Sequence, residues 1–380
     1  MIVERPALER RLLSSLDAGR IPVVLGGCGS GRTSLLLRLE HVIGRDRSQY
    51  LDLAAAATTP ERCFAAVTSA TRVRPHDGVP APAPSARAAF DALLGFFDRS
   101  VTPAGDPVTF LLDEVLDIRT FESFPGLRHV QREVIDRLSA SRTRFVLASR
   151  FTARAHRALR DAPARFEVVH VPPMDAGEVM ALAQLFDGSR TAWAADNAPP
   201  VAALAGGRAG CASLLLDALA TMGAASDPVA ALAALFAPDG RMTARCRETY
   251  DYRLHRARGY GALKAILGVL AAREPLNLTE ISHELQRTPG STKDYLSWLE
   301  DVDLVTAQGK RYSVEDPLLR LYVRLYGRPV PPTDDDIVRE VGAYAKSRLP
   351  QVRGRTAPLA TAAADVPADR VANSGIIEID

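Results

Sequence analysis

The sequence predicts an α/β fold: a three-layer parallel sheet, then a helical stretch and a winged helix-turn-helix. Three observations predict it. Short, wholly apolar segments of strand length alternate with amphipathic helical segments over about the first 190 residues. Strands buried on both faces read in this way, because helices cover a parallel sheet from both sides. A glycine-rich stretch joins the first such strand to a helix. From residue 261 the rhythm changes to three helices and a hairpin.

The elements follow in order. "ALERRLLSSLDA" (7–18) suits a short amphipathic helix ending at Gly19. "IPVVLGG" is a buried strand and "TSLLLRLEHVI" a helix. "SQYLDL" (48–53) is a second strand, with a helix near 60–72. The Pro- and Ala-rich run 74–86 reads as a surface loop. "RAAFDALLGFFDRS" is helical, and "PVTFLLDEVLD" (107–117) begins as an apolar strand. Leu127, Val130, Val134, Ile135 and Leu138 share one helical face. "RFVLASR" (144–150) is a strand, with a helix near 152–161. "FEVVHV" (166–171) is a strand and "DAGEVMALAQLF" a helix. Residues 191–250 read as Ala-rich helices broken by "NAPP" and "AGGRAG".

Beyond 261, Leu263, Ile266, Leu267 and Leu270 form one stripe. Asn277 and Glu280 have the spacing of a capping box. "TPGSTKDYLSWLEDVDLV" supplies a turn and a third helix, and "LVTAQGKRYSV" two strands joined at Gly309. "DPLLRLYVRLYG" closes the unit. A helix is expected at 335–348, with disorder beyond it; the terminal "GIIEID" reads as inert or as a docking peptide. The expected division is 1–190, 191–250, 251–330 and a largely disordered tail, 331–380.

Composition excludes several function classes. A net charge of +2 gives no global field for nucleic acid or membrane. No apolar stretch is long enough to span a bilayer. The amino terminus carries charges where a signal peptide needs an apolar run. The four cysteines (Cys28, Cys63, Cys211, Cys246) have neither metal-ligand nor C-x-x-C spacing. A soluble cytoplasmic protein with reduced thiols is expected. The first lysine is Lys264, and only Lys293, Lys310 and Lys346 follow. Arginine is therefore the default cation of this chain, and an arginine here signals less than it would elsewhere.

"GGCGSGRT" (Gly26 to Thr33) has the spacing of a phosphate-binding loop, G-x-x-x-x-G-K-[ST], with Arg32 in place of lysine. In such a loop, between strand and helix, backbone N–H groups point at a phosphate and the helix dipole adds attraction. Gly26, Gly27, Cys28, Gly29, Ser30, Gly31, Arg32, Thr33 and Ser34 are the candidate nucleotide-binding residues, and Thr33 can ligate Mg²⁺. An ordinary βα turn seldom needs four glycines in six residues. About 80 residues on, "VTFLLDE" ends an apolar strand in Asp113-Glu114. Two acids ending a buried strand are costly without a partner. In a phosphoryl-transfer site the first supports Mg²⁺ and the second activates water. If "RFVLASR" lies beside the first strand, Arg150 faces the γ-phosphate and can sense it; the alternative is a surface arginine.

The order "ERPALERRLL", "LGGCGSGRTSLL", "FLLDE", "VLASR", "VVHVPPMDAGEV", "LAGGRAG" and "YSVEDPLLRLYVRLY" resembles the archaeal-type ATPases within the AAA+/STAND group of P-loop NTPases. The resemblance covers most of residues 1–330. It implies that Gly26 to Thr33 hold the phosphates of ATP, that Asp113 and Glu114 are the metal-supporting and water-activating acids, and that Arg150 is a sensor. It sets Arg165 near the position of an arginine finger, with Arg154, Arg157 and Arg160 competing. Gly206 to Gly210 match the glycine turn of a helical lid, without the usual proline.

Arginine is longer and forked where lysine is a point charge, so the exchange at Arg32 is not conservative. Retained Mg-ATP binding with slow or absent hydrolysis is expected. In the winged helix, "GSTK" (290–293) and "QGKR" (308–311) offer groups for DNA, but Asp294, Glu300, Asp301 and Asp303 oppose phosphate. Tyr295 and Trp298 are expected in the core, and packing or protein contact is favoured over DNA. The leading expectation is an ATP-binding switch or ATPase with a protein partner or a second copy of itself. A DNA-binding regulator and a non-hydrolysing scaffold are the alternatives.

Overall fold

The computed structural model describes residues 3–75, 85–186, 191–223, 227–257 and 259–350. Five strands form one parallel sheet: β1 (Ile21–Leu25), β2 (Ser48–Asp52), β3 (Thr109–Asp113), β4 (Arg144–Ser149) and β5 (Phe166–His170), in the spatial order β2-β3-β4-β1-β5. Every residue of β1 and β3 is buried. Alternate residues serve opposite faces. On one face Val24, Leu111, Val146 and Val169 meet α1 (Pro6–Asp17) and α2 (Arg32–Ile43) through Leu12, Leu36 and Leu39. On the other, Val23, Phe110, Leu112 and Phe145 meet α3 (Pro60–Ala70), α4 (Ala86–Arg99) and α5 (Val130–Ala140). Phe110 is the hub of that layer, its ring 4.9 Å from Phe97 and 6.1 Å from Phe145. The loop expected over 74–86 lies largely outside the described residues; Arg74–Pro75 pairs antiparallel with Ser100–Val101.

The helices after the sheet share one continuous core running from Phe151 to Ala345. α6 (Thr152–Ala158) instead joins β4 to β5, with its Ala155 in the Phe110 layer. The helices after the sheet are α7 (Ala176–Phe186), α8 (Thr191–Ala205), α9 (Ala209–Met222), α10 (Pro228–Leu235), α11 (Arg241–His255) and those named below. The sequence expects "NAPP" to break a helix, yet α8 runs through Pro199 and Pro200. The two prolines remove bonds to the carbonyls of Ala195 and Asp196, both of them exposed residues. Buried Ala194, Ala198, Val201 and Leu204 hold the helix in place. The expected boundary at 250 falls inside α11.

Next come α12 (Tyr260–Ala272), α13 (Leu278–Glu284) and α14 (Pro289–Asp301), with a small antiparallel sheet in the order β6-β8-β7. Its strands are β6 (Leu276–Asn277), β7 (Val305–Gln308) and β8 (Arg311–Val314). Asn277 and Glu280 form both bonds of a capping box. Tyr295 and Trp298 are only half-buried and pair edge to face, packed against the core that buried Leu296 and Leu299 enter. α15 (Pro317–Tyr326) and α16 (Asp334–Arg348) follow. Ile337, Val341 and Ala345 of α16 join the shared core, so this part of the segment assigned to the tail is folded. The expectations for 351–380 lie outside the described residues.

Candidate functional site

β1 has β4 on one side and β5 on the other, and β3 lies beyond β4. The carboxyl ends of β1, β3 and β4 therefore meet at one edge, where α/β sheets place ligands. That edge brings together the loop after Leu25, Asp113-Glu114 and Ser149-Arg150. Gly31 leaves the loop with φ 93° and starts α2, a conformation that a side chain would strain.

The Thr33 hydroxyl donates to Asp113 Oδ2 at 2.6 Å, and the Tyr50 hydroxyl donates to the same oxygen at 3.2 Å. Burial pushes the Asp113 carboxyl up; the Thr33 bond opposes this and the Glu114 charge adds to it. A hydroxyl beside a carboxylate is the hard-oxygen donor set that suits Mg²⁺. Among the described residues no cluster of three or more His, Cys, Asp or Glu forms a metal cage.

Glu114 has φ 53°, a left-handed value rare outside glycine. Its carboxylate is buried between two arginines. Arg32 Nη2 donates to Oε1 at 2.7 Å, and Arg150 Nε lies 2.9 Å from the same oxygen. The Arg150 backbone N–H donates to Oε2 at 3.0 Å. Burial would lower the Arg150 guanidinium, but the Glu114 charge and hydrogen bond hold it above its ordinary value. The Arg32 side chain is 7% exposed and turns back on its own loop. Its Nη1 donates to the carbonyls of Gly26 and, at 2.7 Å, Gly27, and to Ser30 Oγ at 3.3 Å. A guanidinium bound to backbone carbonyls and a carboxylate is not presented to a ligand as a lysine ammonium would be.

Arg165 is not brought to this edge. It precedes β5 at the opposite end of the sheet and donates to the carbonyls of Gly19 (2.9 Å), Ser139 (2.9 Å) and Ser141 (2.6 Å). It ties the amino ends of two strands to the end of α5. Arg154 and Arg157 both pair with Asp301 at the end of α14. Asp303, just past the end of α14, accepts from the backbone N–H groups of Thr152 (2.6 Å) and Ala153 (3.0 Å). Two of the four acids that oppose DNA in the sequence reading, Asp301 and Asp303, thus bind α6.

Four further arginines reach the loop. Arg208, before α9, donates to the Cys28 carbonyl at 3.4 Å and lies 3.3 Å from Asp316. Arg253 of α11 reaches Cys28 Sγ at 3.6 Å and donates to the carbonyls of Val302 (2.9 Å) and Asp303. Burial would raise the Cys28 thiol, yet Arg253, Arg150 and Arg32 hold it below the ordinary value. Arg5 pairs with Glu178 at 2.8 Å, and Arg245 of α11 lies against Gly29 and Gly210. Arg5, Arg32 and Arg245 line a cavity of about 380 Å³ over Gly29 to Leu35, and Val3, Met174 and Leu182 are part of its apolar lining. Asp117, buried just past Glu114, accepts from Tyr252 at 3.0 Å and Arg256 at 2.7 Å, linking α11 to the end of β3. The only signal for Arg208 is its place in "GGRAG"; Arg245 and Arg253 carry none in a chain with so many arginines.

No protein-family profile and no curated protein sequence matches the chain. Among solved structures, a Walker-type ATPase of Pyrococcus abyssi superposes with a TM-score of 0.64 at 16% identity, over 85% of this chain and 96% of its own. The Orc1 protein of Aeropyrum pernix, solved in complex with DNA, gives 0.42 at 17% identity, over 84% and 91%. The RuvB Holliday junction branch migration motor of Thermotoga maritima gives 0.40 at 13%, over 82% and 92%. The first superposition shows a shared P-loop α/β fold; the other two are too loose to bear on function. No helix among the described residues is long and apolar enough to cross a membrane.

Proposed function

We propose that this chain is an ATP-binding P-loop NTPase of the AAA+/STAND kind that works as a nucleotide switch and hydrolyses slowly. The observation that carries this reading is the meeting, at one sheet edge, of the glycine loop, the Thr33–Asp113 pair and Glu114. The loop N–H groups bind the phosphates, and the apolar lining of the cavity, Val3, Met174 and Leu182, suits the base. Thr33 and Asp113 hold Mg²⁺, which when bound neutralises phosphate charge. Glu114 is the base for water, but its charge is spent on Arg32 and Arg150. A carboxylate held by two guanidiniums is not free to turn toward a water, and slow turnover follows.

In this reading residues 191–250 are the helical lid and 251–330 the winged helix. The pairing of Asp301 and Asp303 with α6 supports packing, not DNA contact, for that unit. Nucleotide state then alters how lid and winged helix meet a protein partner or a second copy in the cytosol.

The test is steady-state Mg-ATP hydrolysis by the parent and Arg32→Lys. A lysine is too short to fork between the loop carbonyls and Glu114, so the variant is expected to be faster by about tenfold or more. Rapid turnover by the parent, with Arg32→Lys no faster, would overturn the slow-switch reading.

A further inference from the structure

We propose that Arg245 is the phosphate-reading cation of the loop cavity, supplied by α11 in place of the missing lysine. The proposal rests on the nucleotide-binding reading above and adds a residue to it. Three arginines line the cavity. Arg5 is neutralised by Glu178 in a two-pronged pair, at 2.8 and 3.0 Å. Arg32 is neutralised by Glu114 and bound to loop carbonyls. Arg245 has no carboxylate partner and no hydrogen bond among the described residues. It is half-buried, so its charge is partly withdrawn from water without compensation from the protein. That is the state of a cation that waits for an anion.

Its placement agrees. A Cβ on Gly210 would lie 2.7 Å from Arg245 Nη2, and one on Gly29 would collide with the same nitrogen. Two glycines therefore make room for this guanidinium. Gly29 has φ 77° and stands in the loop, and the Gly210 N–H donates to the Gly29 carbonyl at 2.9 Å. The guanidinium thus sits against the loop between the sheet and α9. A planar fork there suits two phosphate oxygens.

The ligand chemistry is a di- or triphosphate, since one uncharged nucleoside offers the fork nothing. Further along, Tyr252 and Arg253 of α11 and Arg256 just past its end bind Asp117 and the Val302 carbonyl. Whatever Arg245 binds therefore pulls on a helix tied both to the end of β3 and to the end of α14.

The experiment is equilibrium dialysis of Mg-ATP and Mg-ADP against the full chain, for the parent, Arg245→Gln and Arg245→Lys. Arg245→Gln is expected to weaken Mg-ATP by about 10- to 100-fold, the range for loss of a charge-assisted hydrogen bond. Arg245→Lys should recover part of that loss, and urea midpoints should agree among all three proteins. Parent binding with Arg245→Gln within twofold of it would overturn the role of Arg245 alone. A parent that binds neither nucleotide would overturn the nucleotide site itself, and this proposal with it.

Discussion

Glu114→Gln is the substitution whose consequence differs most between this site and an ordinary phosphate-loop site. It changes one atom and keeps the side chain's shape. In this protein it also removes the anion that both Arg32 and Arg150 pair with, the two approaching one oxygen at 2.7 and 2.9 Å. Removing one partner of a buried ion pair costs about 3–5 kcal/mol, because the remaining charge is buried without compensation. Glutamine keeps one acceptor oxygen, and the Arg150 side chain is 24% exposed, so about 2–4 kcal/mol is expected. Urea unfolding without nucleotide measures it, as a lower midpoint at unchanged slope. Mg-ATP should restore more stability to the variant than to the parent, since phosphate supplies the lost negative charge. A variant within about 0.5 kcal/mol of the parent, the range of inert surface changes, would refute the reasoning.

Three other outcomes follow. Of the four cysteines, Cys28 should be alkylated first by iodoacetamide, with a midpoint below the ordinary thiol value. Burial pushes Cys63 up to about 12 and Cys211 up to about 11, and raises Cys246 as well. Arg253→Gln should move the Cys28 midpoint upward; earlier labelling elsewhere, or no movement, would contradict the charge arrangement. Phe110→Ala should cost about 3–5 kcal/mol by urea unfolding, since it empties the hub of a fully buried aromatic layer; a cost below 1 would contradict that packing. Gel shifts at varied salt should show no binding that depends on Lys310 and Arg311. Steeply salt-dependent binding lost on charge reversal there would overturn the packing role of α14.

What the sequence made legible follows from what it encodes locally. Apolar runs of strand length marked β1, β3 and β4, because burial on both faces leaves few polar positions; β2 and β5 carry Gln49, Asp52, Glu167 and His170 and were legible mainly from their place between helices. The loop and the Asp113-Glu114 pair were legible because glycine and paired acids are costly where they serve no purpose. The continuity of α8 was not legible: Pro199 and Pro200 are breakers by local rules, and only an exposed carbonyl face and a buried alanine seam overrule them. Nor was the Arg32–Glu114 pair, which joins residues far apart in the chain and shows what the exchange of lysine for arginine has done. Arg245 and Arg253 were hidden for a third reason. They act across the whole chain, and in a sequence where arginine is the default cation neither of them stands out. Arg165 shows the converse, a residue picked out by position in the chain whose side chain serves backbone carbonyls at the far end of the sheet.

The central claim is that the edge formed by Gly26–Thr33, Asp113 and Glu114 holds a magnesium nucleotide. Calorimetric titration of the full chain with ATP, with and without Mg²⁺, tests it most directly. The account predicts saturable one-to-one binding that is tighter with Mg²⁺ and is weakened by Thr33→Ala mainly in its presence. An absence of binding at millimolar ATP, or binding indifferent to both Mg²⁺ and Thr33, would contradict it.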